Sequence, residues 1–210
     1  PYSVKIINNY AQILLRSGKR EDAAEADRIL GVSIKLAGER YPSAVFNRGL
    51  ALSTLGNKTG AVRLFVQALS EYAIDDHSGA NVHGYLAQEL MEIHYEDKLH
   101  AGDNALDYSG TYRSDSPGYL AIVEWHALRA LHRGCKMPLV LFTLANVYQE
   151  TRRHDLAVGA YTRALRMNQN PYLEKGYSLS ETDARNMFAL AYQARLGDCK
   201  RRRRAAVGRG

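Results

Sequence analysis

Cysteine is scarce in this 210-residue chain, which has only Cys135 and Cys199. They lie far apart, match no metal-ligand or redox spacing, and read as ordinary thiols of an intracellular reducing compartment. Apolar runs are short. No stretch of about eighteen apolar residues exists to cross a membrane, and no signal-peptide pattern opens the chain. It begins at Pro1 rather than Met, which is read as a fragment of a longer protein. Catalytic punctuation is missing as well. There is no H-E-x-x-H, no G-x-S-x-G, no Walker loop and no strand-linked G-x-G-x-x-G.

Seven histidines lie between His77 and His154. Three pairs, His77/His83, His94/His100 and His126/His132, share one spacing of six residues. On a helix that spacing turns the side chain by about 240°, so the members of each pair point apart and cannot share a metal. Glu92, Glu96 and Asp97 near His94 form no recognised ligand set. Asp103, Asp107 and Asp115 cluster in a segment of loop composition that would hold them poorly. The expectation is therefore no enzyme, no metal and no cofactor.

Charge of one sign is confined to one end. The 28 basic residues exceed the 22 acidic ones by the net +6. Lys200, Arg201, Arg202, Arg203, Arg204 and Arg209, after Asp198, account for that whole excess. The body is neutral, which argues against a broad nucleic-acid-binding face. The run Lys200–Arg204 suits a polyanion such as RNA, DNA, acidic lipid or an acidic protein partner, and equally suits a solvated tail over 199–210.

Apolar residues recur at helical spacing along most of the chain. In 138–171 Leu141, Leu144, Ala145 and Tyr148 share one face, a polar turn follows at Thr151–His154, and Ala157, Tyr161, Ala164 and Leu165 form a second face. Residues 42–73 repeat this layout with Gly49 and Leu52, a turn at Gly56, then Ala61, Phe65, Ala68 and Leu69. A third copy runs from Tyr10, Ala11 and Leu14 through Gly18 to Ala23 and Leu30. The interval from Ala11 to Gly49 equals the interval from Ala23 to Ala61, so two landmarks move together. A further step of that length lands on Ala87, where Leu86, Leu90 and Ile93 predict a helix over 82–96. Gly102, Gly110, Pro117 and Gly118 mark 97–118 as a loop insertion, and Tyr119–His132 supplies the next helix. Trp125, at helical spacing with Leu128, reads as core. Ser180, with Asp183 placed for a capping box, opens a C-terminal helix over 180–197.

Each unit is a helix–turn–helix too small to bury its own apolar faces, so the units must stack. Residues 138–171 resemble a tetratricopeptide repeat. Leu141 stands at the Trp position of that pattern, Leu144–Ala145 at the Leu–Gly pair, Tyr148 at the Tyr, and Ala157, Tyr161 and Ala164 in the second helix. Arg152 replaces the usual turn glycine, Leu141 is not aromatic, and Pro171 falls two positions late. The resemblance implies an all-α right-handed superhelix, an alpha-solenoid, with repeats at about 4–41, 42–75, 80–137 (interrupted by 97–118) and 138–171.

It also implies a non-enzymatic adaptor or scaffold that holds a protein or extended peptide in a concave groove lined by first helices. Carried over position by position, the groove residues are Lys5, Asn8, Asn9, Gln12 and Arg16, then Phe46, Asn47, Leu50 and Thr54, then Phe142, Thr143, Asn146 and Gln149. Asparagine amides would offer donor and acceptor to a peptide backbone, or else tie adjacent repeats together. Lys5 and Asn9 resemble part of a carboxylate clamp, but the basic pair expected in repeat three is missing, and a solvated Lys5 is the simpler reading. The alternative function is a structural component of a ribonucleoprotein or other large assembly, with the arginine run contacting RNA or an acidic partner.

Overall fold

A computed structural model describes residues 4–37, 41–71, 77–99 and 118–169, together with scattered positions between 182 and 199. The described residues form α-helices joined by turns, with no strand among them. The helices are α1 (Val4–Arg16), α2 (Arg20–Ala37), α3 (Pro42–Thr54), α4 (Lys58–Glu71), α5 (His77–Leu99), α6 (Tyr119–His132), α7 (Pro138–Glu150) and α8 (His154–Asn168). The chain divides into two compact units, Pro1–Cys135 and Lys136–Gly210.

In the first unit α1 packs on α2, α3 on α4, and α5 on α6, so each pair is a hairpin, and successive hairpins join through α2·α3 and α4·α5. Small residues permit these close approaches. Ala11, Ala26, Leu30, Ala44 and Ala51 form one buried cluster, and Phe65 is fully buried beneath Gly49. Repeat position governs burial. Ala44 and Ala51 on α3 are fully buried, and Val82, Leu86 and Glu89 on α5, each one repeat interval beyond an α3 position, are buried too. Between the two buried α3 alanines Arg48 donates from Nε to Asp27 of α2 at 2.8 Å.

The second unit is built on the α7–α8 hairpin. Ala145, Ala157, Ala160 and Tyr161 form its core, with Phe142, Tyr148, Val158 and Phe188 packed against it. Arg195 pairs with Asp155 at 2.9 Å.

Hairpins end in matched turns. Asn57 N–H reaches Leu52 C=O (2.9 Å) and Gly56 N–H reaches Ser53 C=O (2.9 Å), with Gly56 at φ +85°. That is a helix-ending motif whose left-handed residue satisfies the last carbonyls. After α7 the same bonds run from Arg153 N–H to Tyr148 C=O (2.7 Å) and from Arg152 N–H to Gln149 C=O (3.0 Å). Here Arg152 takes φ 59°, the only non-glycine at positive φ among the described residues. The arginine accepts the strained geometry that glycine adopts at Gly56.

Two expectations change. The helix expected over 82–96 extends across His77–Leu99, so the insertion cannot begin at residue 97. Trp125 is not core. It is 55% exposed and Leu128 44% exposed, because α6 buries the stripe of Tyr119, Val123, Ala127 and Ala130 on another face. Most of the insertion, Ser180 and the basic segment from Lys200 onward lie outside the described residues.

Candidate partner-binding surface

The first helices of the three hairpins in the first unit are neighbours, α1 against α3 and α3 against α5. On α1, Lys5, Asn9, Gln12 and Arg16 are exposed and fall in one sector of the helix. Asn8 is buried. Its Oδ1 accepts from the Asn47 side-chain amide at 2.7 Å, and Asn47 is buried as well. These two asparagines belong to neighbouring hairpins and clip them together. On α3, Phe46 and Leu50 are half-buried and Thr54 is exposed. The Thr54 hydroxyl donates to the Leu50 carbonyl at 3.0 Å. Phe46 packs at 5.6 Å on Phe65 and at 5.7 Å on Tyr85 of α5, ring centre to ring centre.

In the second unit Thr143 and Asn146 are buried. The Tyr161 hydroxyl donates to Asn146 Oδ1 and lies 3.3 Å from Gln149 Oε1. Phe142 meets the Tyr161 ring edge-on at 5.5 Å. So Asn8, Asn47, Thr143 and Asn146 sit inside the packing rather than on a surface, and Asn8, Asn47 and Asn146 spend their amide groups on partners within the fold. A buried amide must find such partners, which is why these positions hold asparagine.

Residues absent from the sequence-based set complete the picture on α5. Gln88 donates to Glu92 Oε1 at 3.0 Å. Lys58, at the start of α4, contacts Glu92 and lies 3.4 Å from Glu96. Burial alone would lower the Lys58 ammonium, but Glu92, Glu96 and Glu89 together hold it above its ordinary value. Glu89 is buried and accepts from Ser53 Oγ at 2.5 Å, while its Oε2 has no hydrogen-bond partner. Burial pushes its carboxyl up to about 7, against the hydrogen bond from Ser53. The repeat interval leads from Gln12 through Leu50 to Gln88, and from Arg16 through Thr54 to Glu92. Interval arithmetic alone reaches these two α5 positions.

Between α5 and α6, His83 Nδ1 and His126 Nδ1 lie 2.8 Å apart, and Trp125 meets both rings edge-on. Two neutral imidazoles can share one proton this way. Burial, with help from Arg133 and Arg129, brings His83 down to about 4. Burial and His83 bring His126 down to about 3. The six-residue spacings gave no hint of this contact, because it joins members of two different pairs. No group of three or more His, Cys, Asp or Glu side chains that could hold a metal occurs among the described residues, and no helix there is long and apolar enough to cross a membrane.

Residues 139–171 match the tetratricopeptide repeat family. The chain therefore carries a tetratricopeptide repeat in that segment, and its other hairpins share the same helix–turn–helix architecture. Two solved structures are similar over nearly the whole length. The MamA RS-1 ArsTM double mutant has 14% identity and a TM-score of 0.55, covering 94% of this chain and 97% of its own. BtubC (BKLC) from P. vanneervenii has 14% identity and a TM-score of 0.53, covering 99% of this chain and 93% of its own. At that identity the likeness shows the fold. No curated protein sequence matches the chain. The tetratricopeptide repeat is in general an architecture for protein interaction rather than catalysis.

Proposed function

We propose that this chain is an adaptor whose first unit holds an extended segment of a partner protein along the exposed polar sector of α1 and the adjoining half-buried positions of α3 and α5, without chemical change to the partner. The observation that carries this reading is the division of labour on α1. Asn8 is locked inward by Asn47 at 2.7 Å, while Lys5, Asn9, Gln12 and Arg16 remain exposed in one sector. A rigid backbone presenting polar side chains in a row suits recognition of a peptide main chain. The α1 end of the row carries Lys5 and Arg16, while Glu92 and Glu96 on α5 are already paired with Lys58, so a partner segment with acidic residues at the α1 end fits best. Phe142 and Gln149 are half-buried in the second unit and play no part in this reading. Lys200–Arg204 play no part in this reading.

The test compares partner capture by the intact chain with capture by an Asn9→Ala, Gln12→Ala, Arg16→Glu triple variant. These side chains are exposed, so the thermal midpoint should stay put while capture falls at least tenfold. Undiminished capture by a folded triple variant would overturn the reading.

A further inference from the structure

Glu89 occupies a position that the preceding hairpin fills with a small apolar residue. One repeat interval earlier stands Ala51, fully buried. At Glu89 the fold instead buries a carboxyl to 1% exposure, on the helix that packs against α3 and α4. Oε1 accepts from Ser53 Oγ near the end of α3, and Oε2 is buried without a hydrogen-bond partner. The neutral acid tolerates that arrangement, because an unpaired carbonyl oxygen forfeits far less hydration than an unpaired carboxylate oxygen. Packing alone does not call for an ionisable group here, since alanine serves the earlier junction.

The charges around it are few. Lys58, the first residue of α4, contacts Glu92 and lies 3.4 Å from Glu96. An ammonium has three donors, so one remains for a third acceptor. Lys58, Glu92 and Glu96 are also the charged groups that act on Glu89, while α3 contributes the uncharged Ser53 and α6 adds none among the described residues. The Lys58 side chain is 20% exposed, intermediate in depth between the buried carboxyl and the surface carboxylates Glu92 and Glu96, which are 41% and 47% exposed. Gln88 holds Glu92 Oε1 at 3.0 Å, so Glu92 keeps its place whichever way Lys58 points.

We propose that Glu89 is a proton-operated switch on the partner-binding row: with its proton on, Lys58 covers Glu92 and Glu96, and once the proton leaves, Lys58 turns inward to Glu89 Oε2 and uncovers both surface carboxylates. The exchange runs in that direction because an exposed ion pair contributes little, whereas a buried carboxylate left unpaired costs far more. Burial, reinforced by Glu92 and Glu96 and opposed by Ser53 and Lys58, raises the Glu89 carboxyl to about 7, so the switch turns near neutral pH. Glu92 is the α5 position reached from Arg16 through Thr54. The row therefore gains negative charge as pH rises and holds an acidic segment less well, a consequence that rests on the adaptor reading.

The intact chain, labelled with carbon-13 and titrated from pH 5 to 9, tests the switch. The Glu89 carboxyl carbon should move with a midpoint of about 7. Over the same interval, cross-peaks from the Lys58 ε-methylene to Glu92 should weaken while those to Glu89 grow. Lys58→Met removes the one cation acting on Glu89 among the described residues, and should raise that midpoint by about one unit. Partner capture should be about threefold weaker at pH 8 than at pH 6 in the parent and equal at both in Glu89→Gln. A Glu89 midpoint in the ordinary carboxylate range, Lys58 contacts with Glu92 that persist through the transition, parental capture that stays level, or a pH dependence that Glu89→Gln retains would each overturn the proposal. Failure of the adaptor reading has a different signature, undiminished capture by the folded Asn9→Ala, Gln12→Ala, Arg16→Glu variant.

Discussion

The side-chain amide of Asn47 donates to Oδ1 of Asn8 at 2.7 Å, and both residues are buried between α1 and α3. Asn47→Ala leaves a buried acceptor unsatisfied and should cost about 1–3 kcal/mol. Asn8→Ala should cost a similar amount, and the double variant should cost less than the two together, since one substitution already breaks the bond. Denaturant unfolding of the four proteins gives the coupling. An additive cycle would show that the bond contributes nothing.

Glu89 sets a pH dependence of one sign. Its carboxyl is raised by burial from 4.5 to about 7, so the folded chain prefers the protonated form. The associated stability is complete below about pH 4.5 and is lost as pH rises through about 7. The loss is on the order of 3 kcal/mol. Glu89→Gln should therefore be more stable than the parent at pH 8 and equal to it near pH 4. A parent advantage at pH 8 would mean that the charged carboxylate is the favoured form, held by Lys58.

The histidine pair acts in the opposite direction. With His83 and His126 lowered from 6.5 to about 4 and about 3, the unfolded chain takes up protons first. Their contribution is complete above pH 6.5 and is lost as pH falls towards 3. Between pH 4.5 and 6.5 the two effects oppose each other, so the parent profile is flatter than either alone. His83→Gln should weaken the acid-side loss, leaving the Glu89 trend more visible. Thermal midpoints from pH 3.5 to 8 for parent, His83→Gln and Glu89→Gln test both assignments together.

Backbone geometry yields two further expectations. Arg152 adopts φ 59° where Gly56 serves the corresponding turn, and a left-handed non-glycine costs about 1–2 kcal/mol. Arg152→Gly should recover roughly 1 kcal/mol, reduced by the greater freedom of the unfolded chain. Conversely, a Cβ at Gly49 would lie 2.4 Å from Cε1 of the fully buried Phe65. Gly49→Ala should destabilise by about 1–3 kcal/mol, read as a lower thermal midpoint. An unchanged midpoint would mean that the Phe65 ring has room to move.

The hairpins were legible in sequence because their signals are local. Small residues at close approaches, glycines at Gly18 and Gly56, and one recurring interval all report on neighbouring turns of chain. The 139–171 repeat was legible for the same reason. Polar burial was not, because it depends on which face meets another helix. Asn47 reads equally as a ligand-binding amide or a clip until Asn8 is placed opposite it. Glu89 looks like any helical carboxylate until the register puts it where Ala51 stands one hairpin earlier. Trp125 carries the stronger hydrophobic label, yet α6 buries Tyr119, Val123, Ala127 and Ala130, and helical spacing places Trp125 outside that stripe.

The most direct measurement is partner affinity for three proteins side by side: the intact chain, a Gln12→Ala, Arg16→Glu variant altered only on the exposed row, and Asn47→Ala altered only at the buried clip. Surface capture predicts at least tenfold weaker binding for the first variant at unchanged thermal midpoint, and for Asn47→Ala a lower midpoint with near-parental affinity below its transition. Parental affinity in the surface variant, with binding lost only in a still-folded Asn47→Ala, would contradict it.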